Sequence, residues 1–149
     1  MAKLWLATLF AFTLTIAGCG SSGMGTANIN GTWTATLTNA NGSPAYQFSV
    51  TLAQGSDNNL TITDLAFRAP GACDFAIPPA AQGSFTPASR AFTMSMVAGG
   101  DVGAPVLSLQ GTLSNGTISG TWSANGLIPP CSGSGSFTIQ PAMAFPVAG

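Results

Sequence analysis

From Gly31 onward, apolar and polar residues alternate with a period of two, as they do in strands that turn one face to a core and the other to water. In Gly31 to Thr38, Trp33, Ala35 and Leu37 share one face, while Thr32, Thr34, Thr36 and Thr38 share the other. Asn41-Gly42 supplies hairpin-turn chemistry. Ala45 to Ala53 then sets Tyr46, Phe48, Val50 and Leu52 on one side, and Gly55-Ser56-Asp57-Asn58-Asn59 reverses the chain. A third strand begins at Leu60. There Leu60 and Ile62 hold one phase and Leu65 and Phe67 the other, which predicts a bulge near Thr63-Asp64.

Cys73 to Pro79 is bounded by prolines and reads as a loop or a short edge piece. A short strand follows near Gln82 to Thr86, then Arg90 to Val97 with Phe92, Met94 and Met96 on one face. Val106 to Leu113 presents Leu107, Leu109 and Leu113. After Asn115-Gly116, Thr117 to Ser123 presents Ile118 and Trp122, and a final strand presents Phe137 and Ile139. The expected fold is all-β: a small eight-stranded antiparallel up-and-down β-barrel, with a two-sheet β-sandwich as the alternative. Edge protection favours the barrel. Open sheets guard their edges with lysine, inward charge or proline, and the only lysine of this chain is Lys3.

Composition sharpens this picture. Hydrophobic residues make up 46% of the 149-residue chain, enough to fold one domain, while charged residues make up only 5%. Beyond Lys3, the charges are Arg68 and Arg90 against Asp57, Asp64, Asp74 and Asp101. No basic patch is available for nucleic acid. The polar residues are mostly Ser, Thr, Asn and Gly, which favour strands and turns over helices.

The first residues follow a different rule. A short positive start at Lys3 precedes an uncharged apolar run from Leu4 to Ala17, too short for a spanning helix and ending at Gly18-Cys19-Gly20. Ile16-Ala17-Gly18-Cys19 resembles the lipobox of bacterial lipoproteins. The resemblance implies cleavage before Cys19, a diacylglycerol on its thiol and an acylated amino terminus. Several acyl chains make a durable membrane anchor. Gly20, standing where an inner-membrane retention signal has Asp, implies export to the outer membrane if the organism has one. The expected organisation is a signal peptide over 1–18, a lipidated cysteine and flexible Gly/Ser-rich tether over 19–29, the β domain over 30–140 and a tail over 141–149. The layout is also similar to that of uncharacterised exported lipoproteins with repeated Gly-Thr-Trp strands, a likeness that brings no activity with it.

Ile29-Asn30-Gly31-Thr32-Trp33-Thr34 has an echo in Ile118-Ser119-Gly120-Thr121-Trp122-Ser123. A Gly-x-Trp at the start of a first strand resembles the lipocalin and avidin-like barrels, where the tryptophan packs across one barrel end. That likeness implies, as an alternative function, a carrier of a small apolar ligand in the barrel interior. The plainer reading is that glycine permits close strand approach and tryptophan is core.

Chemistry is sparse. Histidine and glutamate are missing, and with them the common general base, the serine triad and the usual zinc sites. Asp57 and Asp64 flank the third strand and read as a turn residue and a bulge residue. Met94-x-Met96 has thioether ligands that suit Cu(I), but alternation with Phe92 makes both core. Asn30, Asn41, Asn59 and Asn115 begin Asn-x-Ser/Thr triplets and read as turn residues. No catalytic residue, metal site or cofactor is expected. The expected role is a non-catalytic structural or binding module of the cell envelope, meeting the membrane through its anchor and an envelope protein, a glycan or a small apolar ligand besides.

With Cys19 acylated, Cys73 and Cys131 form an even pair in an oxidising compartment and read as a disulfide. Closing about 58 residues constrains the unfolded chain by about 4 kcal/mol in the entropy model. Protein taken from the cell envelope should therefore resist thiol alkylation at Cys73 and Cys131 until it is reduced. Quantitative alkylation of either cysteine before reduction would overturn the bridge.

Overall fold

The alternating segments form eight strands: β1 (Gly31–Asn39), β2 (Pro44–Gln54), β3 (Leu60–Phe67), β4 (Ala80–Thr86), β5 (Ala91–Val97), β6 (Val106–Ser114), β7 (Thr117–Asn125) and β8 (Gly133–Pro141). The structure, a computed structural model, describes residues 27–68, 80–97, 105–126 and 132–142. All strand pairs are antiparallel in one sheet of order β3-β2-β1-β8-β7-β6-β5-β4. Each strand lies beside its sequence neighbour except at β3 and β4. The first and last strands close on each other from Trp33↔Pro141 to Asn39↔Gly135. This is an up-and-down barrel, nearly closed, with its seam between β3 and β4. The expected signal peptide, most of the tether and nearly all of the C-terminal tail lie outside the described residues.

Local chemistry explains the turns. Asn115 and Gly116 both have positive φ, 50° and 75°, and join Ser114 to its partner Thr117 as a two-residue hairpin. At the β1–β2 turn, Ser43 N–H and Oγ–H donate to Asn41 Oδ1, and Gly42 (φ 84°) carries the left-handed step. The bulge falls where the phase change placed it. Ser49 pairs with Ala66 but Thr51 with Thr63, so Asp64 and Leu65 together oppose Val50, with Asp64 at φ 52°. Aspartate tolerates that conformation better than a β-branched residue would.

At the seam, the sheet is held at one end only. Asn59 bridges Ser84, and Phe85 N–H donates to Asn58 O at 2.8 Å. Inside, the Cδ1 atoms of Leu60 and Ile62 lie 3.3 Å from where a Gly83 Cβ would stand, so β3 side chains cover β4 from within. Closure has thus not removed every edge. The bulge and the exposed Asp64 stand on an edge that remains, where they blunt pairing with another chain.

The inward phase carries the core: Trp33, Ala35, Leu37, Phe48, Val50, Leu52, Phe85, Phe92, Met94, Met96, Leu107, Leu109, Ile118, Trp122, Phe137 and Ile139 are buried. No buried side chain among the described residues is polar. Three burials, Phe85, Ile29 and Ala124, lie outside the inward residues that the alternation predicts. Phe85 on β4 is fully enclosed, and Ile29, placed within the tether by composition, is also fully enclosed.

Glycine explains how large rings fit in so narrow a barrel. Gly111 on β6 pairs with Gly120 on β7, flanked in the same cross-strand row by Phe92 and Phe137. The two missing side chains leave a trough across two strands, and the rings fill it with centroids 6.4 Å apart and planes tilted by 55°. A Gly111 Cβ would stand 2.9 Å from Phe137 Cζ, and a Gly120 Cβ would run into the Gln110 carbonyl oxygen. Backbone cannot give way there as a flexible side chain can. Gly120→Ala should cost about 2 to 3 kcal/mol by overpacking. Ser119→Ala, on the exposed face next door, should stay within about 0.5 kcal/mol. Urea unfolding of both variants checks the contrast, and equal midpoints would refute it.

Candidate functional site

The barrel has two distinct ends. Register places Gly31, Leu52, Leu60, Thr86, Ala91, Ser114, Thr117 and Pro141 at one end, together with the entering segment 27–30 and the tight turns. The other end carries the β1–β2 turn and the origins of the connections β3–β4, β5–β6 and β7–β8. Cys73 and Cys131 belong to two of those connections and, like Cys19, lie outside the described residues. The strand ends that flank the two connections, Phe67 and Ala80 for one and Asn125 and Gly133 for the other, lie at that same barrel end.

A tryptophan plugs each end. Trp33, near the entry of β1, is buried, and its Nε1–H donates to Ile29 O at 2.8 Å. That bond draws Ile29 in as a stopper. Trp122 stands at the far end, because its pairing partner Gly135 also pairs with Asn39, the last residue of β1. Its ring passes over Gly133 and Gly135, and Nε1–H donates to Thr38 O at 3.0 Å. The Gly-x-Trp echo thus puts two indoles at opposite ends, each with its one donor satisfied by a backbone carbonyl. Tyr46 completes the far plug, edge-on to Trp122 at 5.4 Å and to Phe67 at 6.5 Å.

The candidate chemical residues do not converge. Asp57 lies in the β2–β3 turn, where Asn59 Nδ2 donates to Oδ2 at 2.5 Å and Asn59 N–H to Oδ1 at 3.2 Å. Those bonds hold its carboxyl below the usual range. Asp64 sits apart from it in the bulge, so the two carboxylates serve the turn and bulge roles read from sequence. Arg68 and Arg90 stand at opposite barrel ends, while Asp74 and Asp101 lie outside the described residues. Met94 and Met96 are core, at 2% and 0% exposure. Asn30 Oδ1 accepts Gln54 N–H at 2.6 Å, so this asparagine ties the entering segment to β2. Among the described residues, no three Asp, Glu, His or Cys side chains come together as a metal site would need.

What remains is the outer wall. Thr38, Ser136, Thr121, Gln110, Thr93 and Ser84 follow one another across six strands from β1 to β4, with no charged or apolar residue among them. This polarity is the reverse of a membrane-spanning barrel, whose outward face is apolar. On β1 and β8, Thr34 opposes Gln140 and Thr36 opposes Thr138, and with Pro141 and Ala142 they line a shallow cleft of about 170 Å³. Elsewhere on the wall hydroxyls pair with each other, Thr32 with Thr51 at 3.3 Å and Ser84 with Thr93 at 2.8 Å. Among the described residues, the four polar side chains of the cleft have no such side-chain bond. A second cleft of about 290 Å³, lined by Ala27, Asn28, Asn30, Gln54, Gly55 and Ser56, lies at the entry end. Neither is lined by a fully buried residue. No protein family, curated protein or solved structure matches this chain.

Burial raises the Tyr46 hydroxyl above its ordinary value of 10.0. Tyr46 is the only tyrosine, so phenolate absorbance reads it alone. It should ionise above the ordinary value in the folded protein and return to about 10 in denaturant. The sign follows from linkage. The stabilisation is fully present below the unfolded value and is lost as pH rises through the raised folded one. A folded-state titration centred at or below 10.0 would contradict the packing of Tyr46 against Trp122.

Proposed function

We propose that this chain is a lipid-anchored module of the cell envelope that acts by contact and not by catalysis, with its outer wall meeting a neutral, hydroxyl-rich partner such as a glycan. The observation that carries this reading is the contrast between a barrel interior filled with apolar side chains and a wall of uncharged hydroxyl and amide groups. Phe48, Phe85, Phe92, Met94 and Met96 occupy the space that a carrier would give to its ligand. The filled core therefore supports contact at the surface over carriage inside.

The β1–β8 cleft suits such a partner. Thr34, Thr36, Thr138 and Gln140 offer donors and acceptors on a frame set by strand geometry, about 4.8 Å across and about 6.7 Å along. Pro141 and Ala142 give a small apolar flank. Each hydrogen bond exchanges with water, so a single site is weak. A polymer tethered beside many copies of the wall gains from multivalency.

The test uses protein extracted from membranes with its amino terminus intact. The N-terminal peptide should begin at Cys19 and carry diacylglycerol, and the protein should be retained on an insoluble neutral polysaccharide. With no charges to screen in the cleft, retention should hold between low salt and about 0.5 M salt. A Thr36→Ala/Gln140→Ala variant, altered only on the exposed face, should lose most of it. Lack of retention on every neutral glycan tried would sink the contact reading. A freely soluble product with an unmodified Cys19 would sink the anchor.

A further inference from the structure

We infer that the barrel stands on the membrane by its entry end, with the β1–β2 turn and the strand ends at Phe67, Val97 and Asn125 held away from the lipid. This inference rests on the lipid-anchor reading of Cys19 and adds an orientation to it. The carrying observation is topological. In an even-stranded barrel closed between β1 and β8, the chain enters and leaves at the same end, and here Ala142 N–H donates to Thr32 O at 2.8 Å beside that entry.

Reach does the rest. Eight Cα–Cα steps lead from Cys19 to Ala27, and even fully extended they span at most about 28 Å. A nine-residue strand such as β1, tilted as barrel strands are, makes the wall about 23 Å tall. To turn the barrel upside down, the tether would have to run the whole wall at about four-fifths of its full extension. The entropy of a short chain opposes that strongly, whereas the entry end is reached with slack.

The entry end also has the chemistry to rest on headgroups without inserting. Asn28, Asn30, Ser56, Asn58 and Asn115 are exposed there, and no exposed aromatic or large aliphatic side chain is found at that end among the described residues. Its charges, Asp57 and Arg90, are one of each sign. The orientation is accordingly set by the covalent tether and not by electrostatic attraction, so anionic lipid should not alter it.

The experiment places a small fluorophore at either end of the full, acylated protein in phosphatidylcholine vesicles. Ala88→Cys in the β4–β5 turn marks the entry end and Ala40→Cys in the β1–β2 turn marks the far end, both exposed, with the unsubstituted chain as the labelling blank. A lipid carrying a nitroxide on its headgroup should quench the Ala88→Cys probe at least about threefold more than the Ala40→Cys probe, since only the first lies within tether slack of the bilayer. The ratio should be unchanged by phosphatidylglycerol. It should fall toward one when about thirty Gly/Ser residues are inserted after Ser22, because the longer tether permits inversion. Equal quenching at both sites in the original protein, or stronger quenching at Ala40→Cys, overturns the orientation. Failure of the protein to float with vesicles is a separate result, and it overturns the anchor reading and this inference with it.

Discussion

An eight-stranded barrel has an interior only just wide enough for side chains, and this chain must place Phe48, Phe85, Phe92, Phe137, Trp33 and Trp122 inside it. The solution is to pair large rings with absent side chains. Gly111 and Gly120 vacate the inner surface of β6 and β7 for Phe92 and Phe137, and Gly133 and Gly135 vacate β8 for Trp122. Glycine in mid-strand normally weakens a sheet through backbone entropy and lost packing. Here the neighbouring ring restores the packing, and the close strand approach would be impossible with a Cβ present.

The same constraint organises the two ends. Each tryptophan spends its single N–H on a backbone carbonyl, so the ring is fixed in orientation as well as buried. At the entry end this draws Ile29 into the core and so fixes where the entering segment 27–30 joins the barrel. At the far end Trp122 meets Tyr46, and Tyr46 meets Phe67, which links β7 to β3 across the barrel top. The seam is the one place where ladder hydrogen bonding fails over most of a strand. Side chains from Leu60 and Ile62 close it on the inside, and the Asp64 bulge blunts its β3 edge.

A core completed by apolar side chains stands behind a surface that, among the described residues, is nearly free of charge. Hydroxyl rows on a β wall hydrogen-bond to water or to neutral partners with little dependence on ionic strength, unlike the steering fields of a strongly charged protein. The proposed contact role and the proposed end-on stance share this feature. Neither requires a charged patch, and the described surface provides none.

The alternation of apolar residues determined by itself that the domain is all-β, where its eight strands lie, which face of each turns inward, and that β3 carries a bulge. Local rules suffice for those features, because side-chain direction has a period of two and Asn-Gly turns need only neighbouring residues. β4 was faint because Gly83 and Ala81 occupy inward positions there, leaving Phe85 as its one large apolar signal. Ile29 was hidden for another reason. Its burial depends on Trp33 Nε1–H reaching its carbonyl, a contact made only once β1 is in the barrel. Tertiary structure alone decided that the seam falls between β3 and β4, that the two Gly-x-Trp segments plug opposite ends, and that Thr34, Thr36, Thr138 and Gln140 share one cleft. Each of these joins residues distant in sequence, and the pairing register that brings them together is selected by how ring and glycine volumes fit across the whole interior.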